Sequence, residues 1–123
     1  MSAQDKIARL PEAHRAGVGK ASAEHGPGGV FLFHIGDEVL AFRRASIAEW
    51  DEYTSGVLDE ARQVTATREL LEELIVYPSR EDYQGLVRRQ PALPMSIMTG
   101  KKGSKRSLGA WLGSGLDLEG EEL

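Results

Sequence analysis

Cysteine is absent from the chain, and its absence removes disulfide bridges, thiolate metal sites and a cysteine nucleophile together. That usage suits a reducing compartment, so an intracellular protein is expected. Histidine is scarce and scattered: His14, His25 and His34 stand in no HExxH or HxH spacing, and no serine sits in a GxSxG setting. GVGKAS fails as a phosphate loop, because His14 stands where the first glycine is needed and Ala21 where Ser or Thr must follow Lys20. With no acid, base and nucleophile set in sight, no enzymatic activity, metal or cofactor is expected. No apolar run approaches the roughly 20 residues of a membrane span, and the opening MSAQDKIARLPEAH is too polar for a secretory signal. A soluble chain without a membrane partner is the expectation. Positive charge is the minority sign: 15 Lys and Arg against 19 Asp and Glu give a net charge of −4, which argues against nucleic acid as the main partner.

What is present points to one domain, since 123 residues at 41% hydrophobic content supply a single modest core. The chain is organised around residues 59–83. Apolar groups at Val57, Ala61, Val64, Leu71, Leu74 and Ile75 recur at three and four, with Leu70 widening the stripe and Arg62, Arg68, Glu69, Glu72 and Glu73 largely off it. That spacing predicts one amphipathic helix. Pro78 disfavours helical geometry at Tyr77 and sets the expected end near Val76, while Ser79 followed by Asp82 starts a second helix burying Tyr83, Leu86 and Val87.

Upstream, Val30–His34 and Glu38–Arg43 flank Gly36-Asp37 as a β-hairpin. Phe31, Phe33, Leu40 and Phe42 form its expected buried set, with His34 on the opposite, surface side. Ser46 and Glu49 make a capping box for a helix that buries Ile47, Trp50 and Tyr53 or Thr54 and breaks at Gly56. Arg43 and Arg44 are read as charges fringing the hairpin beside Glu49 and Asp51, with an anion grip as the alternative. Residues 1–28 give a short helix around Ile7 and Leu10, then a small-residue linker ending in HGPGG.

Past a short apolar segment, Leu93 to Met98, the chain changes character. TGKKGSKRS is strongly basic, DLEGEEL is acidic, and LGAWLGSGL lies between them. Three readings apply to the basic run: a nucleic-acid contact of the kind a small regulator makes through residues 101–106, a partner for the acidic tail, or a solvated linker. The candidate partner-binding residues are Lys101, Lys102, Lys105, Arg106, Leu108, Trp111 and Leu112. The expected fold is α+β: an N-terminal β-hairpin packed on a small, mostly helical domain. It divides into an N-terminal helix and linker (1–28), a core (29–99) and a flexible tail (100–123). Phe42, Trp50, Leu71 and Leu74 are expected in the core.

Over residues 24 to 98 the order of these features resembles the small tail assembly chaperones of long-tailed phages. The matching residues are Glu24-His25-Gly26, then Phe42-Arg43-Arg44 with Ser46, Glu49 and Trp50, then Leu70 to Ser79, then Pro91-Ala92-Leu93. The resemblance implies a protein that coats the tape measure protein in the host cytoplasm during tail assembly and does not enter the finished virion. It implies the tail tube protein as a second candidate partner, leaves self-association open, and brings no catalytic residues. It also implies a longer product made by programmed frameshift, for which Gly100-Lys101-Lys102 is a compatible place. A structural adaptor that stays in the phage particle is the alternative.

Overall fold

The computed structural model describes residues 3–26, 28–35, 38–99, 108 and 121–122. At its centre lies the hairpin, β1 (Val30–Ile35) against β2 (Glu38–Arg43), antiparallel with Phe31 opposite Phe42 and Leu32 opposite Ala41. Ile75–Tyr77 adds β3 to the outer side of β2 with a register shift between Ala41 and Phe42, and Glu121–Glu122 adds β4 beside β1. The sheet order is β3-β2-β1-β4, all neighbours antiparallel, and with six helices around it among the described residues the fold is α+β as expected.

Successive strand residues point to opposite faces, and here both faces are covered. Phe31, Leu40 and Phe42 pack into the main core with Leu71, Leu74, Tyr83 and Ile97, and Phe33 lies partly buried at its margin. Val30, Leu32, Val39 and Ala41 meet Val18 and Leu10 in a second cluster on the other face. The cover on that second side is α2 (Glu12–His25), a helix where a linker was expected, preceded by the short α1 (Ala3–Ala8). The reason for the mismatch is compositional: only Val18 and Ala21 of α2 are buried, so small residues hide the apolar stripe. Gly17 is part of the same fit. A Cβ there would overlap the ring of Tyr77, so α2 seats against that ring only because residue 17 has no side chain.

The predicted capping box is present: Ser46 Oγ accepts from the Glu49 amide at 3.1 Å and the Glu49 carboxylate accepts from the Ser46 amide at 2.9 Å. It starts α3 (Ile47–Val57), which runs through Gly56 instead of breaking there. Gly56 is buried because α3 and the next helix cross at this point; an added Cβ would lie 2.9 Å from the Ala66 Cβ. A 3₁₀ turn, Glu60–Arg62, capped by Asp59, leads into α4 (Gln63–Leu74). The expected single helix from Val57 to Val76 is therefore divided. Ala61 and Val64 face solvent, and Leu74 is the last helical residue because residues 75–77 are drawn into the sheet. Ile47, expected in the core, is 83% exposed, and Trp50 is half-buried against Tyr53; Phe42, Leu71 and Leu74 are fully buried.

Beyond the cis Tyr77–Pro78 bond, Ser79 caps α5 (Arg80–Arg89), which buries Tyr83, Leu86 and Val87 as predicted. The apolar segment that follows is itself a helix, α6 (Leu93–Thr99), packed on α4 and α5. Two parts of the expected tail belong to the fold: Leu108 is fully buried in the main core, and β4 pairs with Phe31 and Leu32. Among the described residues no helix is long and apolar enough to cross a membrane.

Candidate functional site: an acidic groove between two helices

Between α3 and α4 lies a groove of about 390 Å³. On α3 it is lined by Glu49, Glu52, Tyr53 and Gly56, spaced at three and four so that they share one helix face. From α4 come Ala66, Leu70 and the carboxylates Glu69, Glu72 and Glu73, with Arg62 from the preceding turn. The small pair Gly56 and Ala66 lets the two backbones approach, and the long glutamates stand up on either side of that floor. The trough has an apolar floor and acidic walls.

Its end nearest the sheet is fixed by Arg43. The guanidinium makes a bidentate pair with Glu49, 2.9 Å from each carboxylate oxygen, and donates to the carbonyls of Arg44 at 3.0 Å and Glu73 at 3.2 Å. Two flat, multiply bonded groups of this kind form a rigid link from β2 to the start of α3 and the end of α4. The Arg43 hydrogen bonds, followed by the Ser46 amide, lower the Glu49 carboxyl to about 2, and the Glu49 bond in turn raises Arg43. The structure thus gives Arg43 to Glu49, as the fringing-charge reading has it, while Arg44 donates to the Gly28 carbonyl at 3.0 Å.

Charge in the groove is unevenly balanced. Glu49 has Arg43, and Glu73 has Arg80 at 3.5 Å. Among the described residues, no ion pair reaches Glu52, Glu69 or Glu72. Exposed apolar groups stand at the corner where α3 passes into α4: Leu58 is 86% exposed and Val64 half exposed. Sequence periodicity places these glutamates on a polar helix face but gives no sign that two such faces lie side by side.

The sequence-predicted partner residues are not brought to this groove. Lys101, Lys102, Lys105, Arg106, Trp111 and Leu112 lie outside the described residues, and Leu108 is in the core, where it offers no exposed surface. Of the histidines, His25 and His34 are on the surface, and His14 Nδ1 lies 2.6 Å from the Tyr77 hydroxyl, edge-on to its ring. Burial, then the charges of Glu38 and Asp82, push that hydroxyl up. Tyr83 is also raised by burial, and among the described residues its hydroxyl has no hydrogen-bond partner; it packs edge-on against Phe42 in the main core. No group of three or more His, Cys, Asp or Glu among the described residues is placed to hold a metal ion.

The residues that carry the resemblance each have a structural place. Glu24-His25-Gly26 ends α2, Phe42-Arg43-Arg44 ends β2, Ser46, Glu49 and Trp50 start α3, Leu70 to Ser79 spans the α4–β3–α5 passage, and Pro91-Ala92-Leu93 joins α5 to α6. Comparison with protein-family models, with curated proteins and with solved structures finds no match for the chain.

Proposed function

We propose that this protein acts by binding and not by catalysis, as a tail assembly chaperone of a long-tailed phage that holds the tape measure protein in the host cytoplasm until the tail is built. The observation that carries the reading is the groove between α3 and α4, whose floor of Tyr53, Gly56, Ala66 and Leu70 is open to a partner. A surface of that kind suits a partner with its own apolar stripe, because covering exposed apolar area is what keeps an aggregation-prone client in solution. The ordered resemblance over residues 24 to 98 supplies the identity of the client. The acidic lining opposes phosphate, so the groove supports a protein partner over a nucleic acid.

Co-expression of the tape measure protein with and without this chain is the direct test. The client is expected in the soluble fraction only in company; equal solubility alone overturns the reading. Mass spectrometry of purified particles then separates a chaperone, which is absent from them, from a structural adaptor, which remains.

A further inference from the structure

We infer that the α3–α4 groove docks a basic amphipathic helix of the partner protein, a segment carrying Lys or Arg on the flanks of its apolar stripe. The inference rests on the binding reading above and deepens it by assigning the surface and the chemistry of what sits there.

Three observations converge on that occupant. The first is charge: Glu52, Glu69 and Glu72 bring net negative charge to one concavity, and Arg43 and Arg80 are already engaged with Glu49 and Glu73. Carboxylates crowded this way repel one another, and cations from a partner relieve that repulsion while gaining their own attraction. The second is the floor. Ala66, Gly56, Leu70 and Tyr53 make a shallow apolar strip with carboxylates from both helices beside it. A helix whose leucine-type side chains point down and whose Lys or Arg side chains reach sideways matches that strip, since the long aliphatic stems of those cations also cover apolar surface. The third is shape. Two helices of 11 and 12 residues lie beside one another with a lengthwise trough between them, and a third helix laid into it completes a three-helix layer.

The test uses the full chain and a synthetic helix with leucine on one face and lysine along its flanks, followed by fluorescence anisotropy or titration calorimetry. Binding is expected, weakening as salt rises, because the charges are partly exposed and are screened beyond a length of about 8 Å at physiological ionic strength. A variant carrying Glu52→Gln, Glu69→Gln and Glu72→Gln keeps the side-chain shapes and leaves the Arg43–Glu49 pair alone. With an unchanged melting temperature it should bind about tenfold more weakly, the combined effect of three partly exposed charge pairs. Equal binding by that variant, or equal binding of a matching peptide with glutamate in place of lysine, overturns the assignment. If neutralising Lys101, Lys102, Lys105 and Arg106 to Gln tightens peptide binding about tenfold, the groove belongs to the chain's own basic run and the partner assignment fails. If the peptide dissociates a dimer in sedimentation, the groove is a contact between copies, and the assignment fails again. The co-expression assay separates this inference from the function. A client kept soluble by the triple variant as well as by the original chain removes the groove and leaves the chaperone; a client that precipitates with the original chain removes the chaperone, whatever the peptide does.

Discussion

Gly17 and Gly19 sit two residues apart inside α2, and the same substitution at each should move stability in opposite directions. Alanine in place of a helix-interior glycine gains about 1 kcal/mol from backbone entropy and helix propensity, and that gain is common to both sites. At Gly19 nothing else changes, because beyond its chain neighbours and the adjacent helix backbone no described atom lies within 4 Å of the added Cβ. Gly19→Ala should therefore stabilise by about 0.5 to 1 kcal/mol. At Gly17 the new methyl overlaps Cε2 and Cδ2 of Tyr77. The ring cannot yield without giving up the 2.6 Å hydrogen bond to His14 and the edge-on packing at 5.6 Å between the rings. Overpacking of this kind costs about 1 to 3 kcal/mol, and the broken hydrogen bond about 1 more. Set against the shared gain, Gly17→Ala should destabilise by about 1 to 3 kcal/mol. Urea unfolding followed by far-ultraviolet circular dichroism measures both, and an unchanged denaturant slope certifies that the native state is still being compared. Repeating Gly17→Ala in a Tyr77→Ala chain closes the cycle: with the ring gone the methyl should turn neutral or favourable. If Gly17→Ala raised the midpoint as Gly19→Ala does, the close seating of α2 on Tyr77 would be refuted.

Leu108→Ala should lower stability by about 2 to 5 kcal/mol, as expected for a leucine with no exposed surface; a shift below 1 kcal/mol in the same urea assay would take residue 108 out of the core. Gly56→Ala should cost about 1 kcal/mol net, since its Cβ meets that of Ala66 at 2.9 Å, and adding Ala66→Gly should return part of the loss, a non-additivity read from the double variant. Glu49→Gln should remove about 1 kcal/mol at neutral pH and progressively less in acid. The folded carboxyl, at about 2, lies below its ordinary 4.5. The stabilisation is thus whole above the unfolded value and is lost as pH falls from there through about 2, so a difference from the parent chain that did not shrink across that window would contradict the Arg43 pairing.

Features whose cause is local in the chain were legible in the sequence. The hairpin strands, the capping box at Ser46, the side-chain cap at Ser79, and the buried face of α5 each depend on residues a few positions apart, and each is found where the spacing puts it. The misses share a different cause. Ile75–Tyr77 continues the helical pattern of α4, yet pairing with β2, more than 30 residues away, takes it into the sheet. Gly56 reads as a break until Ala66 is known to lie across from it. Leu108 reads as a partner-binding residue in a glycine-rich segment, because no local pattern announces the core it enters. The groove is the same lesson applied to a site: Glu52 and Tyr53 are separated by sequence from Glu69 and Leu70, and only the folding of α3 onto α4 makes them one surface.

The double cover of the hairpin bears on how its strands find their alignment. In a sheet with one wet face, a slip of one residue is resisted because polar side chains would turn inward. Here both faces are apolar over the middle of the strands, so polarity distinguishes the two alignments only weakly. Size takes over the task. One face offers Val30, Leu32, Val39 and Ala41 to a helix seated close by means of Gly17 and Ala21, and the other offers Phe31, Phe33, Leu40 and Phe42 to a deeper layer. A slipped strand would press phenylalanine into the thin side and leave voids in the thick one, an error of volume at both faces at once. The correct pairing is thus selected by steric gauge, and exchanging large for small between the two faces of β1 would be the way to reverse it.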